Sequence, residues 1–379
     1  MNRKSNYWLL PAGLLALTLT LIIFLARGTP ASGARIGAGA RPAQSEATAT
    51  VTPGAMAVNT PAAPARPVRP TPSPTPVPDD VNPLTGRKVN DKALLRRRPL
   101  LVRIGNDPQI RPQSGLAQAD LVYEELIDGY PLTRLSAIFL SNDPPLIGPI
   151  RSARLISIQL ARQYRAALIH SGASDPIRWE ISQVLPVDLD EYFHPKPYFS
   201  DNSKDWRGRL FTSARVMRAY MRENGMEAAV SLPGFAFSGR EDLPPGGVAA
   251  PSVVIPYPEG ARVEWKYSAA SGRYLRFVAG RPFTDAASGE QIAASNVIVY
   301  YAEHQPTDIV EDAGGATSLR IIIEGEGQAQ VIRDGLLFAG RWNTPGDRPP
   351  QFVADDGGAL PLKPGNTWIE VVPTEYLEQ

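Results

Sequence analysis

The sequence predicts an α/β N-terminal globular domain followed by a mainly β domain, both behind an N-terminal transmembrane helix and a disordered Pro/Ala/Thr-rich spacer. Three observations carry this reading. Residues 7–26 form a mostly apolar run between basic ends. Residues 28–80 nearly lose bulky apolar side chains. Beyond them, short apolar strands first alternate with helical patterns and then follow one another with only turns between.

The apolar run comes first. Arg3 and Lys4 precede it and Arg27 closes it. About 20 residues at about 1.5 Å each match a bilayer core of about 30 Å. Basic residues on the leading side favour a cytoplasmic tip and an exported remainder. The expectation for residues 1–27 is therefore an uncleaved signal-anchor, giving a single-pass cell-membrane protein with its C-terminal domains outside the cytoplasm. A cleaved signal peptide is the rival, but its core is usually shorter and no Ala-x-Ala site follows at once. Residues 28–80 cannot recover their ordering entropy by burial, and their proline-rich end at 61–78 reads as an extended spacer.

Composition narrows the function classes. The 379 residues include 39 basic and 38 acidic side chains. Nucleic-acid binding usually shows a basic excess, so no nucleic-acid partner is expected. The chain has no cysteine, which removes disulfides, thiolate metal sites and cysteine nucleophiles. The three histidines, His170, His194 and His304, lack metal-ligand spacing, and no cofactor motif is present. Neither a metal nor a cofactor is predicted.

Residues 81–239 read as the α/β domain. Strands are expected at 100–106, 120–125, 132–140 and 166–170, with imperfect alternation that suits strands covered on both faces. Helices are expected at 153–163, capped near Ser152, at 176–184, capped by Asp175, and from Thr212 or Ser213 to 222, closed by Gly225. Residues 240–379 read as the β domain, with strands at 253–256, 261–267, 274–279, 296–301, 318–324, 329–333, 336–341 and 367–373. Arg333-Asp334-Gly335 marks one hairpin turn.

The candidate site centres on Gly148-Pro149-Ile150-Arg151-Ser152-Ala153-Arg154, where a strand gives way to a helix. Arg151 and Arg154 share a face if helical. With Ser152, the free amides of a helix start and Arg134, they suit an anion. The competing structural reading pairs these arginines with Glu124 or Asp120. Glu124, His170 and Asp175 are the candidate catalytic groups, with His170 as base and a carboxylate to orient it. Glu124 and Glu125 are adjacent in a strand, so they face opposite ways. The aromatics of residues 192–199 either pack a long loop or present rings to a sugar or peptide.

These stretches resemble the YerB-like family of bacterial cell-envelope proteins. The resemblance rests on Asn82-Pro83-Leu84-Thr85-Gly86, Arg111-Pro112-Gln113-Ser114-Gly115-Leu116, Ala119-Asp120-Leu121-Val122-Tyr123-Glu124 and the Gly148–Arg154 segment. Tyr274-Leu275-Arg276, Asn296-Val297-Ile298-Val299 and Gly365-Asn366-Thr367-Trp368-Ile369 add to it. It covers nearly everything from residue 82 onward. It implies a cell-envelope protein of unknown function, often a lipoprotein, and supplies no catalytic residues. Without a cysteine for lipid attachment, anchoring falls to residues 7–26. The expected function is a membrane-anchored extracytoplasmic binding or scaffold protein for an anionic cell-wall-related ligand. A cell-wall glycan, a peptide or an envelope protein is the expected partner. The alternative is an envelope hydrolase or transferase using Glu124, His170 and Asp175.

Overall fold

The computed structural model describes residues 78–128 and 132–378. The predicted anchor and nearly all of the spacer lie outside the described residues. Among the described residues, no helix is long and apolar enough to cross a membrane.

A region of helices and strands leads into a larger β-rich region. The first holds β1 (Leu100–Gly105), β2 (Leu121–Leu126), β3 (Thr133–Phe139), α1 (Leu155–Gln163), β4 (Ala167–His170), α2 (Asp175–Val184), β5 (Asp188–Asp190), β6 (Tyr198–Ser200), β7 (Leu210–Thr212) and α3 (Ala214–Glu223). The second holds β8 (Val248–Ala249), β9 (Ser252–Ile255), β10 (Val263–Ser268), β11 (Arg273–Val278), β12 (Arg281–Pro282) and β13 (Ala293–Ala294). It continues with β14 (Asn296–Val310), β15 (Thr317–Ile322), β16 (Gly325–Arg333), β17 (Leu336–Thr344), β18 (Gln351–Val353) and β19 (Thr367–Pro373).

Local chemistry explains the helix starts. Ser213 caps α3, its hydroxyl accepting from the Val216 amide at 3.1 Å. At α2 the cap is Ser174, not Asp175. Asp175 is instead the first helical residue, exposed, where a carboxylate meets the positive end of the helix dipole. Helix α1 begins at Leu155, later than predicted. The Arg151 amide donates to Arg103 O at 2.9 Å, and Arg151 O accepts from the Ser171 amide at 3.1 Å. These bonds hold Arg151 extended between β1 and β4. Gly148 opens this segment at φ +152°, with Phe211 Cδ1 2.6 Å from where a Cβ would stand.

The main sheet runs β18-β17-β16-β14-β19-β2-β3-β1-β4-β5, with β15 on β14 and β8 on β17. Strands from both sides of residue 240 therefore share it. β14, β19, β2, β1, β4 and β5 all point one way, with β3 and β16 reversed. β1 and β3 are buried along their whole length, which explains their continuous apolar runs. Leu101, Leu121, Tyr123 and Leu168 pack on one face with α1 and α2. Val102, Val122, Leu135 and Phe139 pack on the other, with α3 and the small sheet β12-β11-β10-β9. The Asp334-Gly335 turn has both residues at positive φ, +54° and +81°, as a two-residue hairpin requires. β14 runs past its predicted end because its polar distal half, from Glu303, pairs with β15.

One buried ion cluster bolts the two sheets together. Arg276, on β11, is fully buried. Its Nη2 donates to Glu124 on β2, and its Nη1 donates to Glu370 on β19 at 3.0 Å. Glu124 and Glu370 sit opposite each other in the parallel register of β2 and β19. The guanidinium lies 4.3 Å from the Trp368 ring, 4.9 Å from Phe283 and 5.3 Å from Trp265. Trp265 Nε1 donates to Glu370 at 2.7 Å, while Asn106 and Thr133 donate to Glu124 at 3.0 and 2.5 Å. Burial, then the neighbouring Glu124, pushes Glu370 up to about 8.

Two predictions follow from this cluster. Arg276→Ala leaves the Glu124 carboxylate buried without its cation and Glu370 without one of its donors, so urea unfolding should show a loss of about 3–5 kcal/mol. A loss below about 1 kcal/mol would show that the cluster is not the bolt. The second concerns pH. Folded Glu370 keeps its proton up to about pH 8, whereas an unfolded glutamate releases it near about 4.3. Between those values the native state binds more protons, so this stabilisation is complete below the unfolded value and is lost as pH rises through about 8. Burial holds Glu125 up to about 7, which acts in the same direction. Glu370→Gln should flatten the fall in melting temperature between pH 6 and 9; an unchanged slope refutes the assignment.

Candidate functional site

The C-terminal ends of the parallel strands form an edge rich in arginine. Arg103 on β1, Arg134 on β3 and Glu125 on β2 project there on the face that carries α1. The extended segment before α1 adds Arg151, Ser152 and Arg154. Edges of this kind, outside the carboxyl ends of parallel strands, are where open α/β sheets commonly bind ligands.

Most of the charges here are already matched. Arg103 is fully buried and its Nη1 donates to Glu125 and to Ser136 Oγ. Arg154 grips Asp128 with two nitrogens, its Nε lying 2.7 Å from Oδ1, and its Nη1 is 3.4 Å from Glu311. The structural reading of Arg154 is therefore correct in kind, but its partners are Asp128 and Glu311. Asp120 instead accepts from Asn82, Ser141 and the Leu140 amide, and Glu124 belongs to Arg276.

Arg134 is the charge left over. It is 3% exposed. Its Nη1 donates to Ser152 O at 3.2 Å, and its Nε is buried without a partner. Among the described residues, no carboxylate forms an ion pair with it or with Arg151. Burial, then Arg154, Arg151 and Arg103, holds Arg134 well below the usual arginine range, opposed by Asp128. A guanidinium stays charged in a protein, so the direction of this shift marks surroundings unfavourable to its charge. Arg151 is half-buried, its Nε is also unpartnered, and burial lowers it too. Arg103 Nε and Nη2 lack partners as well. Burial pushes Glu125 up to about 7 against the pull of Arg103 and, more weakly, of Arg134, its cross-strand neighbour, and burial raises Glu311.

A surface cavity of ≈ 550 Å³ opens beside these groups, lined by Ser152, Arg154, Gly172, Ser174, Asp175 and Glu311 among others. Of the predicted residues, Ser152, Arg154 and Asp175 line this cavity, and Arg134 lies buried behind it on the Ser152 carbonyl. His170 lies beneath the cavity rim and is fully buried. Its Nδ1 is 3.0 Å from Gly172 O and its Nε2 is 2.7 Å from Asp188. Both ring nitrogens face acceptors, so neither is open to a substrate.

The predicted catalytic trio does not assemble. Glu124 is on the opposite face of the sheet, sealed in the Arg276 cluster. β2 and β4 are separated by β3 and β1, which puts Glu124 and His170 roughly 14 Å apart at about 4.8 Å per strand. Asp175 is exposed at the cavity, and His170 takes Asp188 as its carboxylate. The expected helical face shared by Arg151 and Arg154 is also corrected: Arg154 is the extended N-cap of α1, and Arg151 lies before it. His194 packs on Tyr220, and His304 Nδ1 lies 2.9 Å from Ala302 O. Among the described residues, no group of three or more His, Asp or Glu side chains could hold a metal ion.

Sequence reasoning missed Arg103, Asp128, Glu311 and Arg178. Arg103 left a signal, a lone charge inside Leu100-Leu101-Val102-Arg103-Ile104. Asp128 and Glu311 left none, since each sits in a polar connection far in sequence from Arg154.

Comparison with known proteins places this geometry in a family. Residues 84–227 match the N-terminal domain, and residues 253–369 the C-terminal domain, of the family described as "Protein of unknown function (DUF3048)". The "Putative lipoprotein YerB" of Bacillus subtilis (strain 168) is 29% identical over 303 residues, covering 77% of this chain and 86% of that protein. The crystal structure of YerB protein from Bacillus subtilis aligns with a TM-score of 0.67 at 27% identity, covering 77% of this chain and 96% of that one. The chain therefore belongs to the YerB-like DUF3048 family, whose function is unknown.

Proposed function

We propose that this protein is an extracytoplasmic binding module of the cell envelope, and that the arginine-lined edge holds an anionic group of its ligand. The observation that carries the reading is Arg134, a buried cation with an unpartnered Nε and no acid in ion-pair contact, on which three other arginines act while Asp128 and Glu125 reach it only at longer range. A carboxylate or phosphate seated there would take up the open donors of Arg134 and Arg151 and relieve their mutual repulsion. The Ser152 hydroxyl and the start of α1 would add to the same site. Association with the envelope is supported by the relative described as a lipoprotein. In this chain, residues 7–26 would be the anchor and residues 28–80 the spacer that carries the domains outward.

The test is thermal unfolding with inorganic pyrophosphate as the probe. Replacing an unpaired buried charge with an apolar side chain of similar length is often neutral or stabilising. Arg134→Met should therefore leave the melting temperature unchanged or higher without ligand, and should abolish the rise that pyrophosphate gives the native chain. At about 100 times the dissociation constant that rise corresponds to about 2.7 kcal/mol. A lower melting temperature with the pyrophosphate response intact would make Arg134 a structural prop and reject the site.

A further inference from the structure

Resting on that reading, we infer that the anionic group is carried on a saccharide ring, and that Trp206, Tyr192 and Phe193 supply the faces on which sugar rings stack. All three side chains are well exposed, at 64%, 72% and 61%. Each lies beside a guanidinium, Trp206 beside Arg151 of the arginine edge and the other two beside Arg178 near Gly172. The Arg151 Cζ is 5.8 Å from the Trp206 ring. The Arg178 Cζ is 5.4 Å from the Tyr192 ring and 5.8 Å from the Phe193 ring. Arg178 itself bonds Asp190 at 3.1 Å. Its Nη2 lies 3.7 Å, and Ser152 Oγ 3.9 Å, from where a Cβ at Gly172 would stand. One aromatic group is therefore reached from the anion site through Arg151 and the other through Arg178.

The backbone that carries Trp206 is braced, and the other two rings brace each other. Trp206 sits in the β6–β7 connection, where the Asp201 amide donates to Arg209 O at 2.8 Å and the Gly208 amide to Asp205 O at 2.9 Å. Asp205 also accepts from the Arg207 amide at 3.0 Å. Tyr192 and Phe193 brace each other edge to face at 5.0 Å. The surroundings are charged rather than apolar: Lys204, Asp205 and Arg207 border Trp206, Asp107 and Asp205 act on Arg151, and Glu191 precedes Tyr192. A protein interface core would deplete such charges. A pyranose uses both features, its C–H face on the ring and its hydroxyls on the flanking guanidiniums and carboxylates.

Calorimetric titration of the full chain separates the possibilities with three probes. Oligogalacturonate has a carboxylate on each sugar ring, polyglutamate has charge without sugar rings, and maltohexaose has rings without charge. Oligogalacturonate should bind at least ten times more tightly than either of the others. Trp206→Ala should weaken it about tenfold and Arg134→Met should do so as well, while Trp206→Ala leaves polyglutamate unchanged. Polyglutamate binding as tightly as oligogalacturonate, or indifference of oligogalacturonate to Trp206→Ala, overturns the saccharide assignment and leaves the anion site standing. Maltohexaose matching oligogalacturonate overturns the need for charge. Failure of both anions to bind in an Arg134-dependent way removes the underlying anion reading as well.

Discussion

A single guanidinium with two carboxylates sets the geometry on which the rest of this molecule depends. Arg276 comes from the small sheet, Glu124 from one half of the main sheet and Glu370 from the other. Burying these groups costs several kcal/mol for each ion, and a further cost for each unmet polar atom, unless they find one another. They do so only if β19 pairs with β2 in the observed register and the small sheet lies flat against both. The indole faces around Arg276 exclude water and supply cation–π attraction. A one-residue slip of either strand would turn its carboxylate to the other face and strand it there.

The same alternation builds the opposite face. Glu124 turns toward Arg276, so Glu125 must turn toward α1, where it meets Arg103. Asp128 and Glu311 close on Arg154. The acids near this edge are thereby committed to other arginines, and Arg134, opposite Glu125 in the strand register, feels them only at longer range. Its position comes from β3, whose Thr133 is needed on the other face by Glu124. The demands of the core on one side of the sheet thus place a cation with no ion-pair partner at the edge on the other.

Much of this was legible in the sequence. The strands of four or more residues in both halves, the three helices and the Asp334-Gly335 hairpin follow from apolar runs and turn chemistry, whereas the strands of two or three residues do not. So does the opposite facing of Glu124 and Glu125, and the gathering of arginines after Gly148. What was hidden depends on pairing at long range. Nothing local says that β19 inserts beside β2, which removes Glu124 from solvent and from His170. Nothing local says that Asp188 will take His170, or that Asp128 will take Arg154. α1 starts two residues after its predicted start because the Ala153 amide donates to Gly172 O at 3.0 Å and not within a helix. The aromatic loop divided between both readings: Tyr198 is half-buried against the core, while Tyr192 and Phe193 face outward.

The central claim is that the edge beside Arg134 holds an anion. Anomalous diffraction from crystals grown in selenate addresses it most directly, because selenate presents acceptor oxygens like those of a phosphate and its selenium can be located without bias. The account predicts a selenium peak within hydrogen-bonding reach of Arg134 and Arg151, next to Ser152. Peaks confined to other arginines, with none at this edge under saturating selenate, would contradict it.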